Sequence, residues 1–437
     1  MLGSHGMPAR RLRRPAGTAI VAALVLLAAA CSSSSGNPAA QAKDSAKAKA
    51  AAAAADVQIS PASGTKNADP SAGITVTAKH GTLKDVVVHT PGGAVAGRLS
   101  QGGKVWHSQW ALATSQSYTV TATDEHTASG TVTATSAFRT LTPSQTFRTE
   151  IFEGDNQTYG VGMPIMLTFS QPVTNRTAIE RSLQLTTSKP VTGAWYWDDS
   201  QHLDFRPKDY WPANTQVSFD GHLNGVEGAP GVYATEDLTQ TFDIGASVIA
   251  VASTTAHRTQ IYYNGALKYD WPISSGKPST ATPNGTYVTI EKENPVRMTG
   301  GGSPGSPGYY SELVPWSVRF TFSGDYYHAA SWSVASQGSS NVSHGCVNLS
   351  PADAAIYYKL AVPGDPITIT GSPKSGKWDD GWTEWFLPWP QFVKGSALHE
   401  AVTAGPGGSS FVNPSSLPAG SGSSPLQAPP PDNWTAT

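Results

Sequence analysis

The chain has 437 residues, enough for two to four domains with substantial cores, which excludes a small stapled scaffold. Charged residues make up 14%, against about 25% in an average soluble protein, while 43 glycines and 33 prolines favour turn-rich β structure over helical bundles. The balance of 29 basic and 31 acidic residues turns more acidic once an Arg-rich leader is removed, which does not suit an electrostatic nucleic-acid binder.

The leader comes first. Arg10, Arg11, Arg13 and Arg14 precede the uncharged apolar run 17–30, which falls short of the ~18 residues needed to span a bilayer and reads as the core of a signal peptide, 1–30. Small residues end it directly before Cys31. That junction resembles a bacterial lipobox, with Ala28 where the pattern usually has Leu, and the resemblance implies that Cys31 is lipidated and becomes the mature N-terminus. The expected product is exported and held by a lipid anchor on the cell membrane, facing the cell wall; plain secretion is the alternative. Residues 31–56, rich in Ser, Ala and Lys with no apolar face, suit a tether. Cys31 and Cys346 are the two cysteines of the chain, so lipidation of the first leaves one free thiol in an oxidising place. Such a thiol is either inert and buried or reactive.

Beyond the tether, period-two alternation marks strands at 74–78, 118–122 and 165–169, each bounded by turn residues. The segments 110–126 and 210–223 resemble each other, and each is followed by a short Phe-containing strand near Thr135 or Thr239. The pattern predicts two immunoglobulin-like β-sandwiches, 57–146 and 147–246. His107, His126, His202 and His222 read as surface or strand residues, and Asp198, Asp199 and Asp204 near His202 match no tight metal-ligand spacing.

A β-rich third domain is expected over 247–372. It opens with a meander whose tight turn is Asn264-Gly265. The Gly- and Pro-rich run 298–308, too irregular in composition for a regular element, suits an active-site lid. Cys346 lies between Ser343-His344-Gly345 and Val347-Asn348, and Ser350-Pro351 then opens a helix whose buried stripe is expected to include Ala354, Ile356 and Leu360. A thiol just upstream of a helix N-terminus is expected to gain thiolate character there. A nucleophilic cysteine needs a proton acceptor: His328 can approach from a neighbouring strand, whereas His344, two positions away along the chain, is better suited to shaping the site. Metal binding finds no convincing third ligand, and no cofactor is implied.

His328 followed by Ser343, His344, Gly345, Cys346 and Asn348 closely resembles the signature of the L,D-transpeptidase catalytic domain. The preceding sandwiches resemble the arrangement of its actinobacterial, mycobacterial-type members. The resemblance implies a peptidoglycan enzyme in which Cys346 attacks the donor tetrapeptide stem, releases D-alanine and passes the acyl group to an acceptor stem, giving a 3-3 crosslink. It further implies His328 as proton shuttle, the Ala329 carbonyl as third member of the triad, and an oxyanion hole from the N–H groups of His344, Gly345 and Cys346. Tyr310, Met298, Ser323, Gly324, Trp332, Ser343 and Asn348 would line the substrate path, and carbapenem β-lactams would acylate Cys346 as inhibitors. An L,D-carboxypeptidase shares the motif, and a noncatalytic wall-binding lipoprotein is the non-enzymatic alternative.

Within 373–398, Trp378, Trp382, Trp385 and Trp389 carry the spacing of one helix face and resemble the C-terminal extension that packs back on the catalytic domain; a sugar platform is the alternative. Residues 399–437 are expected to be disordered.

Overall fold

The computed structural model describes residues 56–126 and 130–417. The expected signal peptide, Cys31 and nearly all of the tether lie outside the described residues, as does the tail beyond 417. The described chain is mainly β, and the alternation sets its sheets: in Thr75–Ala78, Val76 and Ala78 are buried while the threonines are partly exposed.

In the first sandwich, Val57–Ser60, Thr75–Ala78, Val105–Ser108 and Gly97–Ser100 form one sheet. Gly93–Ala94, Thr82–Thr90, Ser117–His126 and Gly130–Arg139 form the other. Val76, Val88, Trp106, Tyr118, Val120 and Phe138 fill the space between them. The second sandwich sets Thr158–Tyr159, Leu238–Ile244, Thr215–Gly221 and Leu183–Thr187 against a six-stranded sheet. The two repeated segments take equivalent roles, Ser117–His126 pairing antiparallel with Gly130–Arg139 and Thr215–Gly221 with Leu238–Ile244.

Two expectations about the C-terminal end are corrected. The stretch 399–417 is ordered: Ala401–Gly405 and Gly408–Val412 form a hairpin that adds the last two strands to the six-stranded sheet, with Val191 opposite Ala404 and Gly193 opposite Val402. Apart from Phe411 its residues are small, but Ala401, Val402 and Ala404 bury against the second sandwich. The four tryptophans do not share one helix. Pro388 and Pro390 interrupt the run, leaving a 3₁₀ turn at Glu384–Phe386 and a short helix at Trp389–Lys394. The segment packs largely on the second sandwich: Trp382 meets Phe152 edge-on at 4.8 Å, and Trp385 donates to Gly162 O at 2.8 Å. Phe386 reaches into the core of the third domain, against Tyr287, and Trp378 packs at its edge.

That third domain contains the expected meander, Val248–Ser253, Arg258–Tyr263 and Ala266–Pro272, and both Asn264 (φ 49°) and Gly265 (φ 82°) take the left-handed conformation of a tight hairpin turn. Pro366–Thr370 runs parallel to its first strand, and Gly285–Val288 closes the edge. A second sheet orders Glu291–Glu293, Ser317–Arg319, Tyr326–Ala329 and Val347–Leu349. The core of the domain is formed by Ile261, Tyr287, Phe320, Tyr327, Leu349, Tyr357 and Ile367. The helix Pro351–Leu360 starts as expected, with Ser350 Oγ accepting from the Asp353 N–H at 3.2 Å. Its buried stripe differs: Ala354 and Tyr357 face the core, continued by Ala361, while Ile356 is 36% exposed. The small alanines let the helix lie close against the Tyr326–Ala329 strand, so the large aromatic rather than Ile356 fills the space.

Candidate active site

The site begins with two parallel strands. Tyr327 pairs with Val347 and His328 with Asn348, so side chains two apart in each strand share a face, and Cys346, just ahead of its strand, falls on the same face as His328 and Asn348. Tyr327 and Val347 point the opposite way into the core.

The loop before Cys346 is held by hydrogen bonds. The Ser343 N–H donates to Ser275 O and the Lys277 N–H to Ser343 O, each at 3.0 Å. Ser343 Oγ donates to Cys346 O at 2.6 Å and accepts from the Gly345 N–H at 3.1 Å. Gly345 has φ +146°, and a Cβ there would collide with the carboxylate of Asp325. The thiol donates to Gly324 O at 3.8 Å. Burial, reinforced by the Asp325 carboxylate, pushes the thiol up to about 12. The expected gain of thiolate character from the helix is therefore corrected. Val347–Leu349 separates Cys346 from the helix, whose field fades within its first turn.

His328 is 4% exposed, and its Nδ1 donates to Ala329 O at 3.0 Å. Burial lowers its pKa to about 4, only partly offset by that hydrogen bond. The imidazole is thus neutral at physiological pH, with its other nitrogen unprotonated and able to accept a proton. His344 is exposed, sits 3.2 Å from Lys277 Nζ and tilts against the Tyr310 ring at 5.1 Å. Burial and the Lys277 ammonium both lower its pKa.

His328, His344, Cys346, Ser343, Asn348, Tyr310, Met298 and Trp332 surround one cavity of about 290 Å³. Trp332 is 59% exposed and lies 6.0 Å from the His328 ring, so it is a rim residue and not part of the core. Asn348 donates to Ser333 Oγ at 3.0 Å and leaves its buried Oδ1 without a partner. Ser323 and Gly324 do not line this cavity; they form a turn behind the thiol.

The lid is more regular than its composition suggested. Val296–Gly300 and Tyr310–Val314 form a hairpin that pairs Met298 with Glu312 and Gly300 with Tyr310. Gly300 is compatible with the strand because the Tyr310 ring occupies the place of its side chain. Gly308, Glu312, Val314 and Val342 complete the wall, and the last three were not singled out from sequence, since each reads as an ordinary strand or loop residue. Asp325 and Asp380 also escaped notice; both carry their meaning through contacts across the fold.

Comparison with known proteins gives the family. Residues 247–369 match the family model described as L,D-transpeptidase catalytic domain, and residues 65–227 match the model described as Bacterial Ig domain. L,D-transpeptidase 2 of Mycobacterium tuberculosis is 33% identical over 75% of this chain and 81% of its own length. L,D-transpeptidase 1 of the same species is 41% identical over 48% of this chain and 80% of its own. Among solved structures, the LD transpeptidase LdtMt1 in complex with imipenem is 38% identical, covering 52% of this chain and all of that one, with a TM-score of 0.45. The chain belongs to the L,D-transpeptidase family.

Proposed function

We propose that this L,D-transpeptidase forms 3-3 crosslinks between peptidoglycan stems through a thioester on Cys346. The observation that carries the reading is the joint exposure to one cavity of Cys346 and of His328, whose Nδ1 proton is committed to Ala329 O. Both groups are neutral at rest, so thiol deprotonation accompanies attack. The sulfur adds to the donor stem carbonyl as its proton moves to the free nitrogen of His328. That proton then goes to the departing D-alanine amine as the C–N bond breaks. The acceptor amine attacks the thioester, gives a proton to His328, and the sulfur leaves and is reprotonated from it.

In this reading the backbone N–H groups of His344, Gly345 and Cys346 meet the oxyanion, the Gly345 N–H turning to it from Ser343 Oγ, to which it donates at 3.1 Å. Tyr310 packs on His344 and closes the lid side of the cavity. A carbapenem presents a strained acyl carbonyl to the same sulfur, and acylation at Cys346 is expected. The lipid anchor on Cys31 belongs to the same reading, since it would hold the enzyme beside its polymeric substrate; no described helix is long and apolar enough to cross a membrane.

Incubation with disaccharide-tetrapeptide, read by mass, tests the reaction. Dimer with loss of one D-alanine per crosslink supports it, accumulation of tripeptide makes the enzyme a carboxypeptidase, and unchanged substrate removes the catalytic reading. Detergent partition of the full-length protein, with release by Cys31→Ala, tests the anchor.

A further inference from the structure

One carboxylate of the C-terminal segment reaches away from the second sandwich toward the nucleophile. Asp380 accepts from the Ser323 N–H at 2.6 Å through Oδ1 and from Ser323 Oγ at 2.7 Å through Oδ2. Ser323 is the third residue of a tight turn: Gly324 follows with φ +102°, and its N–H bonds back to Thr321 O at 3.3 Å. The Gly324 carbonyl is the group that accepts from the Cys346 thiol, and the next residue, Asp325, lies against Gly345. Asp380 thus clamps at two points a turn that touches both Gly345 and Cys346, and Arg319 holds the first half of the same turn, donating to Thr321 O at 2.9 Å and to Phe322 O at 2.6 Å. Flanking residues pin the clamp elsewhere. Trp378 Nε1 donates to Asp198 at 2.7 Å, and Trp382 and Trp385 belong to the core of the second sandwich.

We propose that Asp380 is a positioning residue for acyl transfer: by fixing the turn at Ser323 and Gly324 it sets the direction of the Cys346 thiol, and it links that geometry to docking of the C-terminal segment on the second sandwich. The proposal rests on Cys346 being the nucleophile. Without the clamp the half of the turn that Arg319 does not hold, Ser323 and Gly324, is free to shift, so Gly324 O can leave the sulfur and attack starts from a wider spread of thiol orientations.

The experiment uses the full-length protein in detergent and compares wild type, Asp380→Ala, Asp380→Asn, Ser323→Ala and the Ser323→Ala/Asp380→Ala double variant. Imipenem acylation is followed as the first-order step and the half-saturating concentration, with melting measured on the same samples. Asp380→Ala is expected to slow the first-order step roughly 10-fold, the scale of a modest misplacement, with little change in half-saturation. Asp380→Asn keeps one acceptor for the Ser323 N–H and can donate to Ser323 Oγ, so it should recover most of the rate. The double variant should be no slower than the slower single one, because both remove the same clamp. An unchanged rate in Asp380→Ala, additive losses in the double variant, or a loss that follows melting and is not recovered by Asn would each overturn the proposal. Failure of the underlying assignment looks different: wild type itself would carry no imipenem adduct at Cys346.

Discussion

At Cys346 the surroundings oppose the charge that the chemistry uses. Burial and Asp325 hold the proton on sulfur up to about 12, and burial keeps His328 neutral down to about 4, so a preformed thiolate-imidazolium pair is disfavoured. Below the thiol pKa the thiolate fraction grows ~10-fold per pH unit, and alkylation by iodoacetamide should climb accordingly between pH 7 and 10. A plateau in the rate below pH 8 would contradict this picture. His328→Ala should lose about 10²-fold to 10⁴-fold in acyl transfer, the usual worth of a positioned proton shuttle. His344→Ala should lose less, because that ring faces Lys277 and Tyr310; the reverse ranking in steady-state rates would exchange their roles. Gly345→Ala should inactivate the enzyme, since its Cβ would displace Asp325 and its φ is strained for any L side chain. An adduct forming at the wild-type rate in that variant would refute the steric argument.

At the scale of elements, the helix after the nucleophile and the C-terminal hairpin are separable supports. Ser350→Ala removes one cap from Pro351–Leu360 and should cost about 1 kcal/mol of stability in denaturant titration while leaving imipenem acylation intact. The hairpin matters differently. Truncation after 398 strips Ala401–Gly405 and Gly408–Val412 from the second sandwich and leaves Val191–Trp197 as an open edge. The truncated protein should melt lower and self-associate, read by calorimetry and light scattering; a monomer with unchanged melting would show the hairpin to be dispensable. Truncation after 375 should be worse, because it also removes Trp382, Trp385, Phe386 and Phe392 from buried positions, each worth roughly 1.5–3 kcal/mol.

Across the whole molecule, the seam between the second sandwich and the C-terminal segment buries several ionisable groups. Arg206 is buried there against Trp385 and Phe392 and donates to Leu387 O at 2.8 Å. Burial raises Glu153 from its ordinary 4.5 to about 8 and Glu384 to about 7. A carboxyl that holds its proton more tightly in the folded chain contributes stability that is complete below 4.5 and is lost as pH rises through the folded value. His328 acts in the opposite sense, costing stability as pH falls from 6.5 toward about 4. Glu153→Gln cannot lose a proton, so its melting temperature should gain on wild type as pH rises from 5 to 8. A gap that stays constant over that range would mean Glu153 ionises normally in the fold.

Much of this protein was readable before folding. The alternation around Val76, Val120 and Leu167 dictates half-buried strands, Asn264-Gly265 dictates a hairpin, and Ser350-Pro351 dictates a helix start, because each of these signals is local in the chain. The residues His328, Ser343, His344, Gly345, Cys346 and Asn348 likewise announce a Cys-His site by their order alone. Tertiary structure decided what depends on partners distant in sequence. Burial and Asp325 set the ionisation of Cys346 against the expected helix field, and Pro388 and Pro390 broke the apparent tryptophan face. An open sheet edge at Val191–Trp197 gave order to the small, Gly- and Ser-rich residues of the hairpin. Backbone pairing supplies that order, and it requires an available edge more than any particular side chain, which is why composition alone pointed to disorder.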